Sequence, residues 1–272
     1  MNGAARCNVI VLAGDRGPDD PLALDAGVAG KTLVPLHGRP MLDRVMHAVA
    51  GLDGVDRTLL VAPDRAEYAD AVSAELEWRR VDPAAGPAAS VERALAALAS
   101  DQPVLLVTGD HPLVTAGWLE QFRSAALDSG ADAVVGVVDH AAVMQRFPDS
   151  RRTRYRFADV AVCGTNLYWF GSQRGAAVAG LWRRFEADRK RPWRIVSRLG
   201  WWNLARYLAG RLTLAQAMAG LSRRLGLRLA AVFVDDAAAA VDVDSRADRD
   251  LVARILAERA GVERRTDPRT GR

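Results

Sequence analysis

The stretch that most limits what this chain can fold into lies near its start. An apolar run at 9–12 (VIVL) is short and β-branched, as expected of a strand buried on both faces of a parallel sheet. It ends in a loop carrying Gly14, Asp15, Gly17, Pro18, Asp19, Asp20 and Pro21, too rich in breakers for a helix and too polar for a core. Pro40 then stands at the onset of a helical pattern, where a proline forfeits no hydrogen bond. Strand, glycine-bearing loop and helix, in that order, turn backbone N–H groups toward phosphates.

The same alternation continues. Helical spacing over 41–52 is closed by Gly51 and Gly54, and strands are expected at 57–62, 78–81, 103–108 and 131–138, with helices at 66–76 and from 91 to about 100. Units of roughly 20–25 residues predict an α/β fold with a doubly wound, mostly parallel sheet. At 272 residues, one domain with an insertion is more economical than two. We place that domain at 1–260, with a helical insertion at 173–228 whose helices fall at 176–188, 195–208 and 212–225. Strands at 227–234 and 238–243 and a helix capped by Ser245 close it, and the polar residues 261–272 read as a disordered tail.

The net charge of +4 is local. Basic residues crowd from Arg183 to Arg228, where Glu186 and Asp188 are the acids, so the basic character belongs to one surface. No apolar stretch is long enough to span a bilayer, and no signal-like segment precedes the first strand, so a cytoplasmic location is expected. Cys7 and Cys163, each on an expected strand, read as buried free thiols.

Two positions carry chemistry on their own terms. The chain has 37 Lys+Arg, yet its lysines are Lys31 and Lys190 alone. A sequence that writes its cations as arginine has kept a compact ammonium beside the glycine loop, which favours a phosphate ligand over a solvated loop cation. Asp110, in the sequence Gly109-Asp110-His111-Pro112, follows the apolar strand at 103–108, at the end of the sheet where open α/β folds bind ligands. Thr115 suits the role of helix cap better than Asp110, and His111 reads as a bystander. The small residues Gly86 to Ser90 form a turn in which a flat ring can approach backbone, with Ser90 as the helix cap.

The run Leu12-Ala13-Gly14, Arg16, Asp20-Pro21-Leu22-Ala23, Lys31, Leu33, Pro35 and Gly38-Arg39-Pro40-Met41-Leu42 resembles the opening of nucleotidyltransferases, and by pattern the MobA-like NTP transferases. Asp15, where a second glycine is common, and Gly30, where a proline is common, depart from that pattern. The resemblance implies a Rossmann-like fold of the GT-A type and a Mg²⁺-dependent transfer of NMP from an NTP, CTP or GTP, to a phosphorylated acceptor. It implies that Lys31 and Arg16 hold the triphosphate with Ala13, Gly14 and Gly17, and that Gly86 and Ser90 hold base and ribose. It further implies that Asp110 and Asp244 bind the metal, with Asp242 on the same strand face as alternative or support, and that Asn166 contacts the acceptor. The closing Val241-Asp242-Val243-Asp244-Ser245 carries this resemblance, with Arg246 where proline is usual.

Arg152, Arg154 and Arg156 alternate with Tyr155 and Phe157, which puts three arginines on one face of an extended segment. They blunt a sheet edge or meet an anionic acceptor, Arg154 being the named contact, and the sequence leaves both open. In the insertion, Leu199, Trp202, Leu204, Ala205 and Leu208 recur among basic residues. A lid with tryptophans against the core is favoured over a peripheral membrane contact through 190–225. No nucleic-acid motif accompanies the charge. The resemblance implies an acceptor that is a phosphorylated small molecule or lipid precursor. A glycosyltransferase of related fold, or a nucleotide-binding module without turnover, are the competing readings.

Overall fold

A computed structural model of the chain describes residues 6–14, 19–172, 174–180 and 201–266. Asp15, Arg16, Gly17, Lys190 and parts of the first two insertion helices lie outside the described residues. Strand β1 (Cys7–Leu12) opens the fold, followed by helix α1 (Pro21–Ala26), a 3-10 turn at Lys31–Leu33, a ribbon of β2 (Pro35–Leu36) and β3 (Arg39–Pro40), and helix α2 (Met41–Ala50). Next come β4 (Val55–Val61), α3 (Ala66–Asp70), β5 (Trp78–Val81), α4 (Pro87–Leu98), β6 (Val104–Thr108), α5 (Ala116–Asp128), β7 (Ala133–Asp139) and α6 (His140–Arg146). The chain then forms β8 (Tyr155–Arg156), β9 (Ala161–Phe170), α7 (Trp201–Leu208), α8 (Leu214–Leu225), β10 (Leu229–Phe233), a 3-10 turn at Ala237–Ala240, and α9 (Arg246–Thr266).

The main sheet runs β5-β4-β1-β6-β9-β7-β10, with β8 added on β9. The pairings among β5, β4, β1 and β6, and of β7 with β10, are parallel, whereas β9 runs antiparallel to β6, β7 and β8. This is the doubly wound, mostly parallel sheet the sequence predicts. β1 explains why its apolar run is continuous: Val9 and Val11 join the core under α2 and α5, and Ile10 joins the core under α4. Each such side chain contributes about 1.5–3 kcal/mol by burial. Cys7 and Cys163 are buried free thiols.

Several local expectations change. The segment expected as a strand over 238–243 begins as a 3-10 turn, because four alanines pack poorly on a pleated surface and Asp236 caps them by accepting from the Ala238 N–H at 2.9 Å. Ser90 does not cap α4: Gly86 takes that position with Pro87 in the first turn, and the Ser90 hydroxyl instead accepts from the Ala84 N–H at 2.8 Å. The Arg152–Phe157 alternation forms strand only at β8. α7 has no buried residue, and Trp201 and Trp202 are exposed rather than packed on the core. α9 runs on to Thr266, beyond the tail boundary read at 261. Thr115 caps its helix as expected, and Thr213 caps α8 in a capping box with Gln216.

Candidate active site

The carboxyl ends of β1, β5 and β6 open on one rim, the edge at which open α/β sheets bind ligands. Ala13 is buried and its N–H donates to Val61, which fixes the exit of β1. Gly14 follows, exposed, and a Cβ on it would lie 3.9 Å from that of Pro83, so the exit of β1 faces the turn after β5. Gly86 and Ser90 belong to that turn and the helix it starts. Next door, the Gly109 N–H donates to Leu12 at 2.9 Å. A side chain at 109 would come within 3.1 Å of Ala13 Cβ and 3.3 Å of Thr32 Cγ2, so glycine is what lets the Asp110 loop settle against the opening segment.

Lys31 reaches this rim from the 3-10 turn that follows extended Gly30. Its ammonium donates to Asp110 Oδ2 at 2.5 Å and to Asp244 Oδ1 at 2.7 Å. The Lys31 side chain is 7% exposed, Asp110 18% and Asp244 48%, so the pair of ion contacts runs from interior to solvent. Burial by itself pulls the Lys31 pKa down, but the two carboxylates outweigh it and raise the value, so the side chain is charged. Lys31, Asp110 and Asp244, distant in sequence, therefore meet at one point.

Backbone holds that meeting in place. The Val243 N–H donates to the Asp110 carbonyl at 3.1 Å, with Val243 itself buried. Ser245 and Asp248 bond reciprocally, the hydroxyl donating to Oδ2 at 2.6 Å and the Asp248 N–H returning to Oγ at 3.2 Å. Asp248 Oδ2 also accepts from the Asp244 N–H at 3.3 Å. Arg246 forks onto Asp25 of α1, which ties the turn to the opening segment.

Asp242 is otherwise engaged. Its Oδ1 accepts from Arg152 at 2.6 Å and its Oδ2 from Asn166 at 2.9 Å. Burial, then the neighbouring charges of Asp110 and Asp244, raise its pKa against the pull of Arg152 and Asn166. Arg152 also donates to Asp248, so one buried guanidinium grips both ends of the Asp242–Asp248 turn. Asn166 has φ 55°, and it falls where the β7–β9 register shifts between Val135 and Val137. A bulge of this kind re-aims a side chain, here toward Asp242. Arg154, by contrast, is exposed just before β8.

Arg152 is the residue sequence reasoning grouped wrongly. Nothing in its spacing separates it from Arg154 and Arg156, and its partners lie 90 and 96 positions away. His111 packs 1% exposed with its ring 6.1 Å from that of Trp118.

Asp110 Oδ1 is buried with no hydrogen-bond partner, while Oδ2 takes Lys31. An orphaned hard oxygen beside a second carboxylate suits a divalent cation such as Mg²⁺. Among the described residues no cluster of three or more His, Cys, Asp or Glu closes around one point. Two protein carboxylates completed by phosphate oxygens fit the habits of Mg²⁺ better than a full protein cage.

A charged lysine and two converging carboxylates thus meet at the ligand-binding edge of a mostly parallel α/β sheet, and the class of the chain is nucleotidyltransferase. Residues 9–146 match the MobA-like NTP transferase domain, and the chain belongs to that family. A hypothetical transferase from Thermus thermophilus is 30% identical, with TM-score 0.75 over 90% of this chain and 99% of its own. The 4-diphosphocytidyl-2C-methyl-D-erythritol synthase of Anaerococcus prevotii is similar in fold, at 14% identity and TM-score 0.54 over 93% of this chain and 97% of its own. Among curated proteins, the bifunctional protein GlmU of Leifsonia xyli subsp. xyli is 30% identical over 132 residues, 47% of this chain and 26% of that protein. The chain thus spans about a quarter of the length of the curated relative it matches. Among the described residues no helix is long and apolar enough to cross a membrane.

Proposed function

We propose that this nucleotidyltransferase moves NMP from CTP or GTP to a phosphorylated acceptor and releases pyrophosphate, with Mg²⁺ as its cofactor. The observation that carries the reading is the meeting of Lys31 with Asp110 and Asp244 on the rim beside Gly14. An acceptor phosphate oxygen attacks the α-phosphorus, and the bond from that phosphorus to the bridging oxygen breaks. Pyrophosphate departs with the electron pair. The attacking group is already an anion near neutral pH, so no side chain need remove a proton.

Asp110 and Asp244 would hold the cation, which when bound supplies positive charge to the phosphate oxygens. Lys31, released from one or both carboxylates, turns its ammonium to the triphosphate, joined by Arg16 and the N–H groups of Gly14 and Gly17. Gly86 and the braced turn at Ser90 receive base and ribose. Asn166 and Arg154 face the acceptor, and Asp242 supports Asp244 from behind. Such a site works by in-line placement and charge neutralisation.

The test is a thermal-shift series with CTP, GTP, ATP and UTP, each with and without Mg²⁺, followed by pyrophosphate detection with glycerol 3-phosphate and inositol 1-phosphate as acceptors. A Mg²⁺-dependent shift with CTP or GTP, and pyrophosphate as the released product, are expected. Nucleoside diphosphate released from a nucleotide sugar, without pyrophosphate, would assign the chain to glycosyl transfer instead. Tight nucleotide binding with no turnover against any phosphorylated acceptor would favour a binding module.

A further inference from the structure

Helix α7 is inside out. Its exposed positions are Trp201, Trp202, Ala205 and Leu208, with Ala209 following, and at helical spacing they form one apolar face. Trp201 is 74%, Trp202 77% and Leu208 75% exposed. The polar side of the same helix is the one turned to the protein. Tyr207 stacks edge-on against Phe157 at 6.1 Å, and Arg206 donates to Gln216 of α8 at 2.7 Å. Asn203 presses so closely on α8 that a Cβ on Gly220 would meet its Nδ2 at 2.5 Å. A surface helix ordinarily does the reverse.

The charge carried by α7, α8 and β10 themselves is of one sign. Positions 201–234 contain no Asp or Glu, and Arg211, Arg223, Arg224 and Arg228 are exposed there. A second copy docking on this face would set like charge against like charge. A nucleic acid would find arginines at the margin but an apolar, not cationic, centre. Two adjacent indoles, whose apolar rings and N–H groups suit the boundary between headgroups and acyl chains, flanked by arginines, match a bilayer carrying negative charge.

We infer that the α7–α8 unit is a membrane-docking surface that seats the Trp201/Trp202 face in the interface of an anionic phospholipid bilayer. The unit is fastened to the body through the Ala158 N–H, which donates to Leu212 at 2.8 Å, and the Leu214 N–H, which donates to Asp159 at 3.0 Å. Docking would therefore hold the whole domain at the surface, close to the segment that carries Arg152 and Arg154. This inference stands apart from the reading of nucleotide and acceptor.

The test is co-sedimentation of the full chain with vesicles of equimolar phosphatidylcholine and phosphatidylglycerol, and with vesicles of phosphatidylcholine alone. Binding to the anionic vesicles is expected, weakened about tenfold or more by Trp201→Ala with Trp202→Ala, by Arg223→Glu with Arg224→Glu, and by raised salt. Both pairs are exposed, and unchanged circular dichroism and melting temperature would confirm that the variants fold. Failure to bind anionic vesicles, or binding that ignores the tryptophan pair, would overturn the inference. So would a dimer in solution that the tryptophan substitutions dissolve, which would assign the face to a second copy.

Discussion

The N–H of Val243 donates to the carbonyl oxygen of Asp110 over 3.1 Å, joining the end of a central strand to the last turn before α9. Because this bond is backbone to backbone, it survives changes to the Asp110 side chain. The carboxylate can therefore be neutralised without unpicking the scaffold around it.

Asp110→Asn should leave the melting temperature near that of the parent chain while lowering pyrophosphate release by about 100-fold or more. Removing the charge also removes one of the two anions that hold the Lys31 ammonium. Pyrophosphate assay and calorimetry on the same sample check the pair. Undiminished turnover would remove Asp110 from the cation site.

Arg152 acts through other residues. Its guanidinium spans Asp242 and Asp248 at once, a reach that the single ammonium of lysine does not reproduce. Arg152→Ala is expected to reduce kcat about 10–100-fold, with Arg152→Lys recovering little of it. Mg²⁺ titration of the rate should show a weakened metal requirement curve in both variants. Full rescue by lysine would mean that charge alone, not the fork, is needed.

Gly136 lies opposite the irregular part of β9. A Cβ there would meet Thr165 Oγ1 at 2.3 Å and Leu167 Cβ at 3.2 Å, on either side of Asn166. Gly136→Ala should destabilise the fold by about 1–3 kcal/mol and also slow the reaction by shifting Asn166. Urea unfolding and steady-state kinetics measure the two effects separately. A stable, fully active variant would show that the bulge tolerates the methyl group.

The acid limb of the stability curve should carry the mark of Asp43. Burial alone would raise this carboxyl, but hydrogen bonds from Arg39 and Ser73 outweigh it and hold the pKa below the ordinary range. The unfolded chain therefore takes up the proton first as pH falls. The stabilisation is complete above about pH 5 and is lost as pH drops below about 4 toward the folded value. Asp43→Asn is expected to cost about 1–3 kcal/mol at neutral pH, and the gap from the parent should narrow at pH 3. Urea midpoints at the two pH values test the sign, and a constant gap would argue against the charge as its source.

What could be read in the sequence was what local order encodes. Lys31 and Asp110 stood out because each follows a loop or strand whose pattern is itself legible, whereas Asp244 was carried by the family resemblance of the closing segment. Arg152 was hidden because its partners come from a remote turn, and alternation treats it like its neighbours. Ser90 was placed at a helix end where Gly86 sits, since a proline in the first turn moves the start back by a few positions. The alanines at 237–240 have no strong preference, and Asp236 decides their conformation. For α7 the apolar spacing was plain, but periodicity fixes only that a stripe exists, not which way it points.

β9 is inserted between β6 and β7, although it follows both in the chain. Those two strands, joined by α5, cannot touch each other in the finished sheet. A polypeptide ending at Arg146 would thus hold the whole family-matched segment and still have a slot in its middle, with two bare strand edges facing across it. The last strand to be synthesised of these three is the keystone. Until the ribosome has delivered Phe170, β6 and β7 cannot be joined into one sheet, and both of their facing edges are exposed to pairing with other chains.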